Sequence, residues 1–158
     1  ESIYTIITAR AHHPDTIKDA IYNLIITNHH GINKDLLVKN LKKYRDIVGL
    51  DDKSDLELIR EYLDLNKYYP VTFYDGSATA NPEKLKVDAM REFISYVKSQ
   101  ANILGKKLFV KNDISNKFIP SIGFSDDDLK NVETMKKHLE DEPTLKTYYT
   151  GQGTKTRF

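Results

Sequence analysis

Short β-branched and aromatic runs alternate with helically spaced apolar segments along most of this chain. That alternation dictates a mostly parallel sheet with helices on its faces. Ser2 to Thr8 reads Ser-Ile-Tyr-Thr-Ile-Ile-Thr, a buried strand. Ala9 to His13 is a polar connection, and Pro14 with Asp15 suits a first helical turn. Ile17, Ile21, Leu24 and Ile25 then recur at helical spacing. Val71 to Tyr74 reads as a short strand between Pro70 and an Asp75-Gly76-Ser77 turn. Asn81-Pro82-Glu83 opens a helix striped by Leu85, Ala89, Phe93, Val97 and Ala101, with Gly105 as its stop. Leu108 to Val110 reads as a brief strand or hairpin arm and Phe118 to Phe124 as an apolar strand. Leu129, Val132, Met135 and Leu139 mark a short helix, and Lys146 to Thr150 a last strand before Gly151-Gln152-Gly153.

Residues 33–66 have a different texture. Asn33 caps a helix containing Leu36, Leu37, Val38 and Leu41, and a charged turn over Asp51 to Ser54 leads to a second helix with Leu56, Leu58, Ile59, Tyr62 and Leu63. No strand is evident there, so the block reads as a small helical insertion. The expectation is one three-layer, Rossmann-like α/β domain over residues 1–158, with 33–66 inserted in it.

The charge balance, 24 basic against 23 acidic residues, gives no global attraction to nucleic acid or to an anionic membrane. With no cysteine, disulfides and thiolate metal sites are excluded. No apolar stretch approaches the roughly 20 residues of a membrane span, and no secretory signal is visible. The expected setting is soluble: cytoplasmic, in the host cell if the protein is viral, or in a virion.

In open α/β sheets, sites form beyond the carboxyl ends of the strands. Thr8 and the run Asp126-Asp127-Asp128 stand at such ends. Three adjacent carboxylates repel one another, and two readings of them stay open. They could share Mg²⁺, which takes oxygen ligands and keeps several waters. Alternatively they cap the following helix, a task for which Ser125 and Asp126 suffice. His12-His13 and His29-His30 read as solvated loop residues, the first pair bordering the Thr8 loop. The ten tyrosines form no basic-aromatic stripe for single strands. Gly151-Gln152-Gly153 lacks the strand-turn-helix setting of a nucleotide loop, and Lys155-Thr156-Arg157 reads as a basic end.

The stretch Ile119-Pro120-Ser121-Ile122-Gly123-Phe124-Ser125-Asp126-Asp127-Asp128-Leu129-Lys130-Asn131-Val132 resembles the fourth motif of the haloacid dehalogenase-like phosphatase superfamily, a strand ending in paired acids. Ile6-Ile7-Thr8-Ala9-Arg10 is similar to the second motif, an apolar strand ending in Thr or Ser. Lys86 stands where the third-motif lysine would, with Lys84 as the second choice. The segments Ala9 to Ile25, Asn81 to Phe93 and Phe124 to Pro143 look most like such proteins of tailed-phage and bacterial genomes. The resemblance implies Mg²⁺ on Asp126 and Asp127 with Asn131 supporting the loop. It also implies that Thr8 and the backbone at Ala9 and Arg10 bind the transferring phosphoryl group, and that Lys86 offsets charge. It implies hydrolysis of a phosphorylated small molecule or other phosphoester, and a cap role for 33–66.

The family's first motif, a strand ending in Asp-x-Asp, should precede Thr8. It carries the nucleophile, yet none of residues 1–7 is Asp. Thr72 to Ser77 imitates it, but with Phe73 at the attacking position. Glu1 rather than Met opens the chain, so one expectation is that an upstream segment, or less simply a protein partner, supplies the nucleophile. The alternative is an inactive module with a structural or binding role, such as a virion or assembly component. On either expectation these residues alone do not turn over substrate.

Overall fold

The computed structural model describes residues 2–48, 50–74, 81–112 and 120–158. Within them the chain is a mixed α/β fold. Strand β1 (Thr5–Thr8) leads into helix α1 (Pro14–Ile26), and a 3₁₀ turn at His29–Gly31 leads to α2 (Lys34–Val48) and α3 (Asp55–Leu65). Strand β2 (Lys67–Pro70) follows at once, then the short helix α4 (Val71–Tyr74) and the long helix α5 (Pro82–Asn112). The chain ends with β3 (Ile122–Asp126), α6 (Leu129–His138), β4 (Leu145–Tyr149) and the two-residue β5 (Thr156–Arg157).

Local sequence accounts for most of these boundaries. Pro14 starts α1, and the His13 ring nitrogen Nδ1 accepts the Asp15 N–H at 3.1 Å, so this histidine is a helix cap. Asn33 accepts the Leu36 N–H at 2.9 Å. Ser54 and Glu57 form a reciprocal capping box at α3. Asn81 accepts the Glu83 and Lys84 N–H groups ahead of Pro82.

The strands form two sheets instead of the single one expected. One is β1–β2, parallel, with Thr5 opposite Lys67 and Thr8 opposite Pro70. The other is β3–β4–β5, with β3 and β4 parallel and β5 antiparallel. Two apolar clusters lie about them. Val87, Met90, Phe93 and Ile94 of α5 join Ile122, Phe124, Val132, Met135 and Leu139, and Ile3, Ile7 and Tyr69 of the other sheet pack against this group. Ile25, Val38, Leu41, Leu58, Ile59 and Leu63 of α1–α3 form the second, with Tyr4 against it. Tyr4 and Ile3 thus send the β1 segment into both.

Several expectations need correction. Val71 to Tyr74 is helical, and the strand is the Lys67–Pro70 segment before it. Pro70 has no N–H with which to extend a ladder, and beyond it Thr72 Oγ1 donates to the Ala9 carbonyl at 2.5 Å. Gly105 does not end α5, which runs on through Leu108–Val110 to Asn112. A helix-interior glycine costs about 1 kcal/mol relative to alanine, too little to stop a helix anchored by buried Met90, Phe93 and Ile94. The apolar strand begins at Ile122, and residues 113–119 and the Asp75-Gly76-Ser77 turn lie outside the described residues. The basic end is strand β5: Phe158 N–H donates to the Thr147 carbonyl at 2.9 Å, and Thr147 Oγ1 donates to the Phe158 carbonyl at 2.9 Å. Among the described residues no helix is long and apolar enough to cross a membrane.

Candidate functional site

Strand β3 alternates buried Ile122 and Phe124 with exposed Gly123 and Ser125, then delivers Asp126 to its carboxyl end. There the three aspartates separate into three different environments. Asp126 is the hub. Its Oδ2 receives the Lys86 ammonium at 3.0 Å, and its Oδ1 accepts the Asp128 N–H at 2.9 Å and the Asn131 side-chain amide at 3.2 Å. Lys86 and Asp126 side chains are only 12% and 11% exposed. Burial pushes the Asp126 carboxyl up. The Asp128 N–H, the Lys86 ammonium and the Asn131 amide together outweigh that and hold it below the usual carboxylate range.

Asp128 is the N-cap of α6, in extended backbone with its carboxylate on the Lys130 N–H at 2.9 Å. The cap therefore falls at Asp128 and not at Ser125 or Asp126. Asp127 lies between hub and cap and is exposed. Lys130 reaches across to Glu83 at 2.6 Å, tying the start of α6 to the start of α5. That contact holds the Glu83 carboxyl below its usual range.

Of the two candidate lysines, Lys86 meets Asp126 and Lys84 is exposed. Thr8 ends β1, and its hydroxyl accepts the Arg10 N–H at 3.2 Å, folding Ala9 and Arg10 into a tight polar turn. Ala9 and Arg10 are exposed, as are His12 and His13. The contacts bring Lys86, Asp126, Asp128 and Asn131 together directly. No hydrogen bond or ion pair joins Thr8 to that group among the described residues.

Two neighbours of the acidic turn escaped sequence reasoning. A β-carbon on Gly151 would meet the Tyr149 hydroxyl and would lie 2.6 Å from the Asp127 carbonyl oxygen. Gly151 is therefore required for close approach of the β4–β5 connection to the acidic turn, with Tyr149 wedged beside it. The signal available was the Tyr149-Thr150-Gly151 run at a strand end. The Asp126 carbonyl accepts the Thr150 N–H at 3.0 Å, which fixes the two strand ends at one level.

For a cation, this set offers a pair of carboxylates. An ionised carboxylate has about four lone-pair positions. Three on Asp126 are engaged by Lys86, Asp128 and Asn131, which leaves one on Oδ2; Asp127, the next residue, is exposed. One or two carboxylates with waters is a usual Mg²⁺ environment, so the residues fit that ion. Among the described residues no group of three or more His, Asp or Glu side chains is arranged to hold a metal. No family model, curated protein or solved structure matches the chain.

Proposed function

We propose that these residues are most of a haloacid dehalogenase-like phosphatase domain, Rossmann-like in its complete form. Its attacking carboxylate then comes from outside Glu1–Phe158. The observation that carries this reading is the Lys86–Asp126–Asn131 contact set at a strand's carboxyl end. A lysine from one helix, an acid from a strand and an amide from the next helix meet in the order the resemblance requires. Thr8 supports it by ending the other parallel pair in a polar turn.

In this reading Asp126 and Asp127 hold Mg²⁺, which supplies charge compensation to a bound phosphoryl group. The chain's own residues do the rest. Lys86 adds fixed positive charge in a half-enclosed site, where it acts more strongly than in bulk water. Asn131 and the Asp128 N–H keep Asp126 ionised and oriented. The Thr8 hydroxyl and the Ala9–Arg10 turn offer donors to phosphoryl oxygens. The substrate class is a phosphomonoester.

One observation favours a second reading, that of an inactive structural or binding module. Asp126 is satisfied by protein partners alone, so the acidic run has a structural explanation without any ion. Para-nitrophenyl phosphate with Mg²⁺ separates the two. The chain as given is expected to show no turnover. The protein extended to its natural first methionine is expected to hydrolyse the ester and to lose that activity in Asp127→Asn. An inert extended protein would sink the phosphatase reading and leave the module.

A further inference from the structure

We propose that the outer face of the β3–β4–β5 sheet binds single-stranded nucleic acid, with phosphates on Lys146, Lys155 and Arg157 and a base on the Tyr148 ring. Alternation along the strands assigns the two faces. Ile122 and Phe124 are buried against α5 and α6, and Asp126 is in phase with them. Gly123, Ser125 and Lys146 are out of phase with that set and exposed. Tyr148 belongs to the exposed phase. A β-carbon on Gly123 would stand 3.6 Å from its ring, so the ring lies across β3. Arg157 is directly opposite Tyr148 in the antiparallel pair, and opposed residues present their side chains to one face. The Lys155 ammonium sits over the same ring, 4.0 Å from its centroid.

Charge selects the occupant. On the helix side, Lys86, Arg91, Lys98 and Lys130 each meet a carboxylate. Lys146, Lys155 and Arg157 meet none among the described residues, and no acid stands among Gly123, Ser125, Lys146, Tyr148, Lys155 and Arg157. The near-neutral charge of the whole chain conceals this local excess. A single strand offers both matching chemistries, a repeating phosphodiester charge and bases whose π-faces stack on aromatic rings. An acidic peptide would answer the cations and leave the ring without a partner. A duplex keeps its bases inside the stack, where the ring does not reach them. Gly123 and Ser125 carry almost no side chain, so the surface beside the ring is open for a base. An entering base takes the place of the Lys155 ammonium, which turns to the adjoining phosphate. An exposed cation–π contact is weak enough for that exchange.

The placement of these residues explains why no basic-aromatic stripe is legible in the sequence. Lys146 and Tyr148 belong to β4, whereas Lys155 and Arg157 lie beyond Gly151-Gln152-Gly153, and only the β4–β5 pairing brings them together. The inference stands apart from the phosphatase reading, since Lys86 and Asn131 reach Asp126 from α5 and α6, on the opposite side of the sheet.

Fluorescence anisotropy of a labelled oligothymidylate, titrated with the chain as given, tests it. Binding is expected to weaken with salt, with a log–log slope of about −2 for three phosphate contacts. Lys146→Gln and Arg157→Gln should each flatten that slope by about 0.7. Tyr148→Leu, which keeps an apolar side chain over Gly123, should weaken binding by about tenfold and leave the slope unchanged. Lys39→Gln, on the exposed surface of α2, should leave binding as it is. Absence of binding at low salt would overturn the proposal, as would undiminished binding by Tyr148→Leu. So would a duplex of the same length that binds as tightly, or a loss in Lys39→Gln equal to that in Lys146→Gln. Polyglutamate that displaces the oligonucleotide at equal charge concentration would assign the face to an acidic polypeptide and overturn it too.

Discussion

Asp126 is nearly enclosed and ionised because three donors surround it. Replacing Lys86 by methionine leaves that carboxylate with two, and should destabilise the fold by about 1–3 kcal/mol, read from urea midpoints at neutral pH. The sign with pH follows from the lowered carboxyl. Its contribution is full above the ordinary value of 3.8 and is lost as pH falls through the lowered one. The gap between wild type and Lys86→Met should therefore narrow in acid. An equal gap at neutral pH and well below 3.8 would show that Lys86 acts through packing instead. Gly151→Ala should cost about 1–3 kcal/mol and shift the Asp127 and Tyr149 resonances, because the added carbon meets backbone as well as ring. The aspartate run at a strand end and Lys86 near a helix start were legible in sequence as candidates, and their contact is a finding of the structure. The hub, cap and exposed roles of the three aspartates were not, since they depend on which donors the α5 and α6 helices bring.

Helix ends were the most readable elements. Asn33, Ser54, Asn81 and Pro14 announce their starts with side chains that bond locally. Asp128→Ala should weaken α6 by about 1 kcal/mol. Ser125→Ala should leave that helix unchanged, and thermal melts of the two variants decide which residue is the cap. Strand positions were harder. Lys67–Pro70 carries no long apolar run, and it becomes a strand because Asn66 pins its start. The Oδ1 of buried Asn66 accepts the Tyr4 N–H at 2.8 Å and its Nδ2 donates to the Tyr62 carbonyl at 2.7 Å. Such a long-range bond leaves no periodic trace. Asn66→Ala should cost roughly 2–3 kcal/mol, with exchange at Tyr4 and Lys67 rising in step. The Val71–Tyr74 misreading has the same origin, since β propensity carries little weight once Pro70 has closed the ladder.

Across the whole molecule, fold class was legible and sheet continuity was not. Alternation of apolar periods says that strands and helices interleave. It does not say whether two parallel pairs share an edge. The helices of residues 33–66 illustrate the limit. They read as helical from spacing alone, yet their Val38, Leu41, Leu58, Ile59 and Leu63 build a second apolar cluster with Ile25 of α1, against which Tyr4 packs. The way the pairs divide along the chain also bears on the order in which they assemble. The β3–β4 pair closes across one short helix, whereas β1 must wait for Lys67, 62 residues away and beyond three helices. Each doubling of such a loop adds about 0.6 kcal/mol of closure entropy. In refolding followed by pulsed deuterium labelling, amides of Phe124 and Tyr148 should become protected before those of Ile6 and Tyr69, making the carboxyl-terminal third the nucleus on which the rest condenses.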